Sequence, residues 1–186
     1  MKPVLDVRSE VIQLTNAKRA HFSSFRRAAD HRECRGTHSR KKYLRQFKTE
    51  KWLQAELTHH FWSKQIPVTP EYSEEKWDLC IERPNSEGNF LLAIKCLADS
   101  DQYAGSDFRG VRKDIEAVGK HRSRQAALVL ILPLDANDLR RINYTNKMLE
   151  YIRQHDTRKI LTMEKDEIHF PPNGHEGVLV VWIELK

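Results

Sequence analysis

The sequence predicts an α/β domain, a mixed central sheet flanked by helices, with a basic helical extension on its N-terminal side. Three observations predict it. Trp77, Leu79 and Ile81 alternate with Asp78, Cys80 and Glu82, the period-two pattern of a strand with one face in a core. Ala126 to Leu132 reads AALVLIL, the unbroken apolar run of a strand covered on both faces. Between them, Phe108, Val111, Ile115 and Val118 recur at spacings of three and four, the buried stripe of a helix.

The elements follow in order. Val4, Val7, Val11, Ile12 and Leu14 can line one face of a short helix, and Phe22, Phe25, Ala28 and Ala29 repeat the pattern. The apolar signal fades from Ala29 to Arg40 and resumes at Tyr43, Leu44 and Phe47. Thr49 can cap a helix from about Glu50 to Lys64, with Trp52, Leu53, Leu57 and Phe61 on its buried side. Glu56 falls beside that stripe, where a carboxylate needs a partner to offset its desolvation. The strand at Trp77–Glu82 is followed by a turn cluster, Pro84 to Asn89, and by a second alternating segment from Phe90 to Leu97. The two should pair as an antiparallel hairpin. Lys95 shares a face with Ala93, a cation amid an apolar strand, and requires a carboxylate, phosphate or metal-bound neighbour.

A loop from Ala98 to Ser106 leads to the helix at about Asp107–His121, whose outer side carries Arg109, Arg112, Lys113, Lys120 and Arg122. After the AALVLIL strand, Leu139, Ile142, Leu149 and Ile152 mark a helix from about Ala136 to Gln154. Three strands are predicted at the end, Lys159–Met163, Glu167–Phe170 and Val178–Leu185, with Pro171 to Gly174 separating the last two.

Charge is unevenly distributed. The net charge of the 186 residues is +6, yet residues 1–50 carry 13 Lys and Arg against 5 Asp and Glu. The remainder is slightly acidic, so the basic excess lies in the first quarter. A polyphosphate is the natural counterpart, through release of condensed counterions. Arg26, Arg27, Arg40, Lys41 and Lys42 are the candidate phosphate contacts there, joined by Lys113 and Lys120 from the later helix. The domain reading is a basic extension over 1–48 and a main domain over 49–186. No apolar run approaches the roughly 20 residues needed to span a bilayer. No secretory signal is evident, and Cys34, Cys80 and Cys96 make no disulfide framework, so a cytoplasmic location is expected. His31-x2-Cys34-x3-His38 lacks the fourth ligand that zinc wants. Gly-x-Gly-x-x-Gly, GKS/GKT and Gly-x-Ser-x-Gly sequences are missing, which removes dinucleotide, P-loop and serine-hydrolase chemistry.

The order helix, strand, strand, helix, strand over residues 49–133, with Glu56, Asp78 and the triplet Ala93-Ile94-Lys95 in it, resembles the PD-(D/E)XK nuclease superfamily, the restriction-endonuclease-like fold. The resemblance implies an acid in the first helix at Glu56, a metal-holding Asp at Asp78 and a Glu/Asp-x-Lys triplet ending at Lys95. It implies Mg2+, with Mn2+ able to substitute, and hydrolysis of DNA phosphodiester bonds in restriction, phage defence or transposition. It also implies a homodimer or a place in a larger defence or recombination complex.

The departure is Ala93, where the family has its second carboxylate. Three explanations stand: a native carboxylate replaced on purpose, a carboxylate supplied from elsewhere such as Asp99 or Glu116, or a naturally inactive relative that binds nucleic acid or takes part in assembly. A nuclease acting on RNA is a further reading, since four Trp residues and His59-His60 are compatible with base stacking.

Overall fold

The computed structural model describes residues 5–23, 38–72, 77–83, 88–97, 105–120, 125–156, 161–172 and 174–185, with the backbone alone for 38–48. Among the described residues ten elements run in the order α1 (Val7–Ala17), α2 (His38–Ser63), β1 (Val68–Tyr72), β2 (Trp77–Glu82), β3 (Asn89–Cys96), α3 (Gly105–Lys120), β4 (Ala126–Asp135), α4 (Leu139–His155), β5 (Leu161–His169) and β6 (Glu176–Leu185). The strands form one six-stranded sheet in the order β1-β2-β3-β4-β6-β5. Only β3 and β4 are parallel, and α3 makes the crossover between them.

Period-two alternation sorts the sheet's side chains onto two cores. Leu79, Ile81, Leu92 and Ile94 meet Leu53, Leu57 and Phe61 of α2, with Val7, Val11 and Leu14 of α1 in the same cluster. On the other face Leu128, Leu130, Val181 and Ile183 meet Phe108, Val111, Ile115 and Val118 of α3 and Tyr144, Met148 and Ile152 of α4. Strand β4 feeds both, Val129 and Ile131 to one and Leu128 and Leu130 to the other, as its unbroken apolar run requires. Each such Leu or Ile contributes about 1.5–3 kcal/mol of burial.

The α/β class, the β2–β3 hairpin and the stripe of α3 are as expected. Other details differ. Strand β1 was not foreseen, because four of its five residues are exposed and no alternation marks it. Helix α2 begins at His38, so Thr49 lies buried inside it and caps nothing, and the expected boundary at 48/49 falls within one helix. Asp138 caps α4, whose start is therefore three residues later than the apolar spacing suggested. Two expected strands are one, β5, continuous through Glu164, Lys165 and Asp166. These charges stand on an edge strand, where Arg8 of α1 pairs with both Glu164 and Asp166. Cys80 and Cys96 are buried and form no disulfide with each other, as their strand positions predict.

The β5–β6 register leaves no room for a side chain at Gly177, where a Cβ would stand 2.3 Å from the Ile168 carbonyl oxygen. Gly177→Ala should cost about 1–3 kcal/mol as strand β6 shifts to relieve the overlap. A thermal melt should show a Tm lower by on the order of 5 °C. An unchanged Tm contradicts this register.

Candidate functional site

Strand β2 pairs with β3 only through Leu79–Glu82 against Asn89–Leu92. Continued by one residue, the register would set Asp78 opposite Ala93. The pairing stops there, and the β3 amides beyond it turn to carboxylates instead. The Ile94 N–H donates to Asp78 Oδ2 at 2.7 Å, and the Cys96 N–H donates to Glu50 Oε2 at 3.3 Å. The gap between the strands is thus lined by two carboxylates that close the backbone's own hydrogen-bonding requirement.

Lys95 lies between those amides in sequence and points to the α3 side. Its Nζ donates to Glu50 Oε1 at 3.3 Å and stands 4.0 Å from Asp114 Oδ2 of α3. One turn earlier on α3, Gly110 faces the same lysine, and a Cβ there would stand in ordinary contact with Lys95 Cε, at 3.6 Å. Helix α2 fixes the other side. Gln54, four residues after Glu50 and so on the same helix face, is buried and donates through Nε2 to the Asp78 carbonyl oxygen at 2.7 Å. Lys51 bonds to Gln54 Oε1 at 2.9 Å and also pairs with Glu71 of β1.

The charges at this gap are coupled. Burial pushes the Asp78 carboxyl up, the Ile94 amide pulls it down and Glu50 raises it again, with the result that it titrates at about 6. Asp114 is likewise raised to about 6, by burial first, with Lys95 opposing and Asp78 and Glu50 adding repulsion. Burial pulls Lys95 down, but Glu50 and Asp114 outweigh it and hold the ammonium above its ordinary value. Lys95 is therefore a fixed positive charge at neutral pH.

Three carboxylates around one ammonium leave a local deficit of positive charge, with Lys51 and Lys113 contributing from farther off. In kind, these donors fit a hard divalent cation, which takes oxygen ligands. Among the described residues no group of three or more His, Cys, Asp or Glu side chains is placed to hold a metal ion. Magnesium does not require one, since it keeps several waters and is typically held by one or two carboxylates plus substrate phosphate.

The structure brings Asp78, Ala93 and Lys95 to one gap and sets Glu56 apart from it. Glu56 pairs with Lys18 at 2.8 Å, and that hydrogen bond holds its carboxyl below the usual range. The acid that α2 sends to the gap is Glu50, a turn and a half earlier. Ala93 is buried in the apolar cluster that includes Trp77 and Phe108 and offers no ligand. Of the two alternative carboxylates, Glu116 is turned outward to Arg112 at 2.8 Å, and Asp99 lies outside the described residues.

Lys113 and Lys120 are exposed on α3. Arg26, Arg27, His31 and Cys34 lie outside the described residues; Arg40, Lys41 and Lys42 fall at the start of α2, their side chains also outside. Glu50, Gln54 and Asp114 do not stand out in the sequence. The signals it held were the i,i+4 spacing of Glu50 and Gln54 in phase with Leu57, and an Asp next to Ile115 on a buried stripe. No protein-family model, curated protein or solved structure matches the chain.

Raised carboxyl values make the gap a source of instability at neutral pH. A carboxyl that titrates at about 6 when folded and near 3.8 otherwise binds its proton more tightly in the folded chain. Stability from these groups is therefore greatest below pH 4 and falls as pH rises through 6. Without divalent cations, Asp114→Asn should melt above the parent at pH 7.5, by about 2–6 °C, and level with it below pH 4. Lys95→Met should do the reverse, lowering stability at pH 7.5 by about 1–3 kcal/mol. A melting curve for Asp114→Asn that tracks the parent at both pH values would show that the Asp114 carboxyl is not raised by its surroundings.

Proposed function

We propose that the protein is a Mg2+-dependent endonuclease of the PD-(D/E)XK type, hydrolysing DNA phosphodiester bonds. The observation that carries this reading is the gap itself, where Asp78 on β2 and Lys95 on β3 flank an unpaired stretch of strand. The added strand β1 supports it, for the element order through β4 becomes helix, three strands, helix, strand. Asp78 then falls on the second strand and Lys95 on the third, on neighbouring strands at the gap. Glu50 takes the place of Glu56 as the acid of the first helix.

Asp78 and Glu50 would hold the cation at the mouth of the gap. A bound divalent ion supplies Lewis-acid polarisation of the scissile phosphate and acidifies an attacking water. The residues of the chain do the rest. Lys95 stays protonated, so it cannot serve as a general base; it orients the attacking water or stabilises charge developing on the phosphate. Glu50 holds that ammonium on one side, while its bond to the Cys96 amide keeps the carboxylate from swinging away. Gln54 holds the backbone of Asp78, so the aspartate would need no ordering to receive an ion. Exposed Lys113 and Lys120 suit the backbone on either side of the cut and contribute positioning.

A second reading, a nucleic-acid-binding or assembly protein without activity, is favoured by one observation, the apolar Ala93. Incubation with plasmid DNA, single-stranded DNA and RNA in Mg2+ or Mn2+ separates the two. The nuclease reading predicts nicking or linearisation of plasmid that Asp78→Asn abolishes and Lys95→Met lowers about 10²–10³-fold. Binding of all three substrates with no cleavage of any contradicts it and leaves the second reading. Replacing Arg40, Lys41 and Lys42 by Ala should flatten the slope of log binding constant against log salt, by about 0.9 for each duplex phosphate that is no longer neutralised. An unaltered slope removes that basic stretch from the interface.

A further inference from the structure

The sheet ends in β1 on one side and β5 on the other, and among the described residues no further strand pairs with either. An open edge presents backbone N–H and C=O groups to which a strand of another chain can add. We propose that side chains of this chain shut both edges, with Trp62 and Pro70 closing β1, so that a second copy cannot extend the sheet. The proposal is independent of the nuclease reading.

The phase of the β1–β2 ladder shows which groups are at stake. The Glu82 N–H donates to the Pro67 carbonyl oxygen at 2.9 Å, so in this antiparallel register Thr69 also turns its backbone to β2, while Val68 and Pro70 turn theirs outward. Trp62, near the end of α2, takes the first of these. Its Nε1 donates to the Val68 carbonyl oxygen at 3.2 Å, so the indole, 57% exposed, lies where an incoming strand would have to pair. Pro70 has no N–H to offer at the second. The strand then turns at Glu71, whose φ of +52° is foreign to a ladder and whose carboxylate is held to α2 by Lys51. An exposed tryptophan and a proline within a strand thereby share one explanation. Strand β5 is closed by charge instead. The Phe170 N–H donates to the Glu176 carbonyl oxygen at 2.7 Å, a phase that turns the backbone of Leu161, Met163, Lys165 and Glu167 outward. Asp156, at the end of α4, accepts the Leu161 N–H at 3.2 Å, and Glu164, Lys165, Asp166 and Glu167 fill the middle of the strand with charge. Any assembly with a second copy is left to the helical faces.

Sedimentation equilibrium of the full chain over a range of concentrations tests this at β1. Trp62→Ala combined with Pro70→Thr frees the Val68 carbonyl and restores an outward N–H. That variant should self-associate at a concentration roughly tenfold or more below the parent's. Trp62→Ala combined with Pro70→Lys opens the same groups but sets a charge on the edge, and should associate no more than the parent. Both positions are exposed, so the far-UV circular dichroism of each variant should match the parent's. A Thr variant that associates no more than the parent overturns the proposal. Equal gains in association by the Thr and Lys variants also overturn it, because they mark general unfolding instead of an opened edge. A parent already paired in solution, which Pro70→Lys alone returns to single chains, shows that β1 is an interface and overturns it as well.

Discussion

The organisation of this protein depends on the early parting of β2 from β3. A strand end in a protein interior leaves amides that must find acceptors, and a sheet ordinarily provides them from the next strand. Here the acceptors at Ile94 and Cys96 are the carboxylates of Asp78 and Glu50. A requirement of the backbone therefore fixes two negative charges in a small space, at the carboxyl end of the parallel β3–β4 pair. Crevices of that kind are where open α/β sheets bind their ligands. Lys95 offsets only part of the charge; burial first, and repulsion among the carboxylates after it, raises Asp78 and Asp114.

Helix α2 maintains this arrangement. Leu53, Leu57 and Phe61 anchor it to the sheet, and the same helix phase delivers Glu50 to Lys95 and Gln54 to the Asp78 backbone. Helix α1 braces it from outside, through Glu10 with His60 at 2.7 Å and by the apolar cluster both helices share. Lys18, just past the end of α1, joins the brace with Glu56 at 2.8 Å. Part of the N-terminal segment is therefore integral to the core, whatever its basic residues bind. Glu56, which looked costly beside an apolar stripe, is satisfied by this brace and serves structure.

What the sequence made legible follows the strength of each local pattern. Lys95 stood out as a cation in an apolar strand and Asp78 through the resemblance, and the structure brings them to one gap. Strand β1 left no trace because an exposed edge strand containing Pro70 has no buried face to print a period. Strand β5 was divided in two because charges on its middle face Arg8 instead of a core. A helix from about Glu50, capped by Thr49, puts Glu50 at its very start; in the helix His38–Ser63 the same residue sits mid-helix over the gap. Asp114 was hidden for another reason. Its importance comes from Lys95, a contact made across the crossover, and no spacing within α3 announces it.

The central claim is that the gap receives a divalent cation, and crystals grown with Mn2+ test it most directly through anomalous scattering. One strong peak is expected at the mouth of the gap, within about 2.0–2.3 Å of a carboxylate oxygen of Asp78 and of Glu50, with Lys95 drawn away from Glu50. A gap without a peak at saturating Mn2+, with Lys95 still between Glu50 and Asp114, would contradict it.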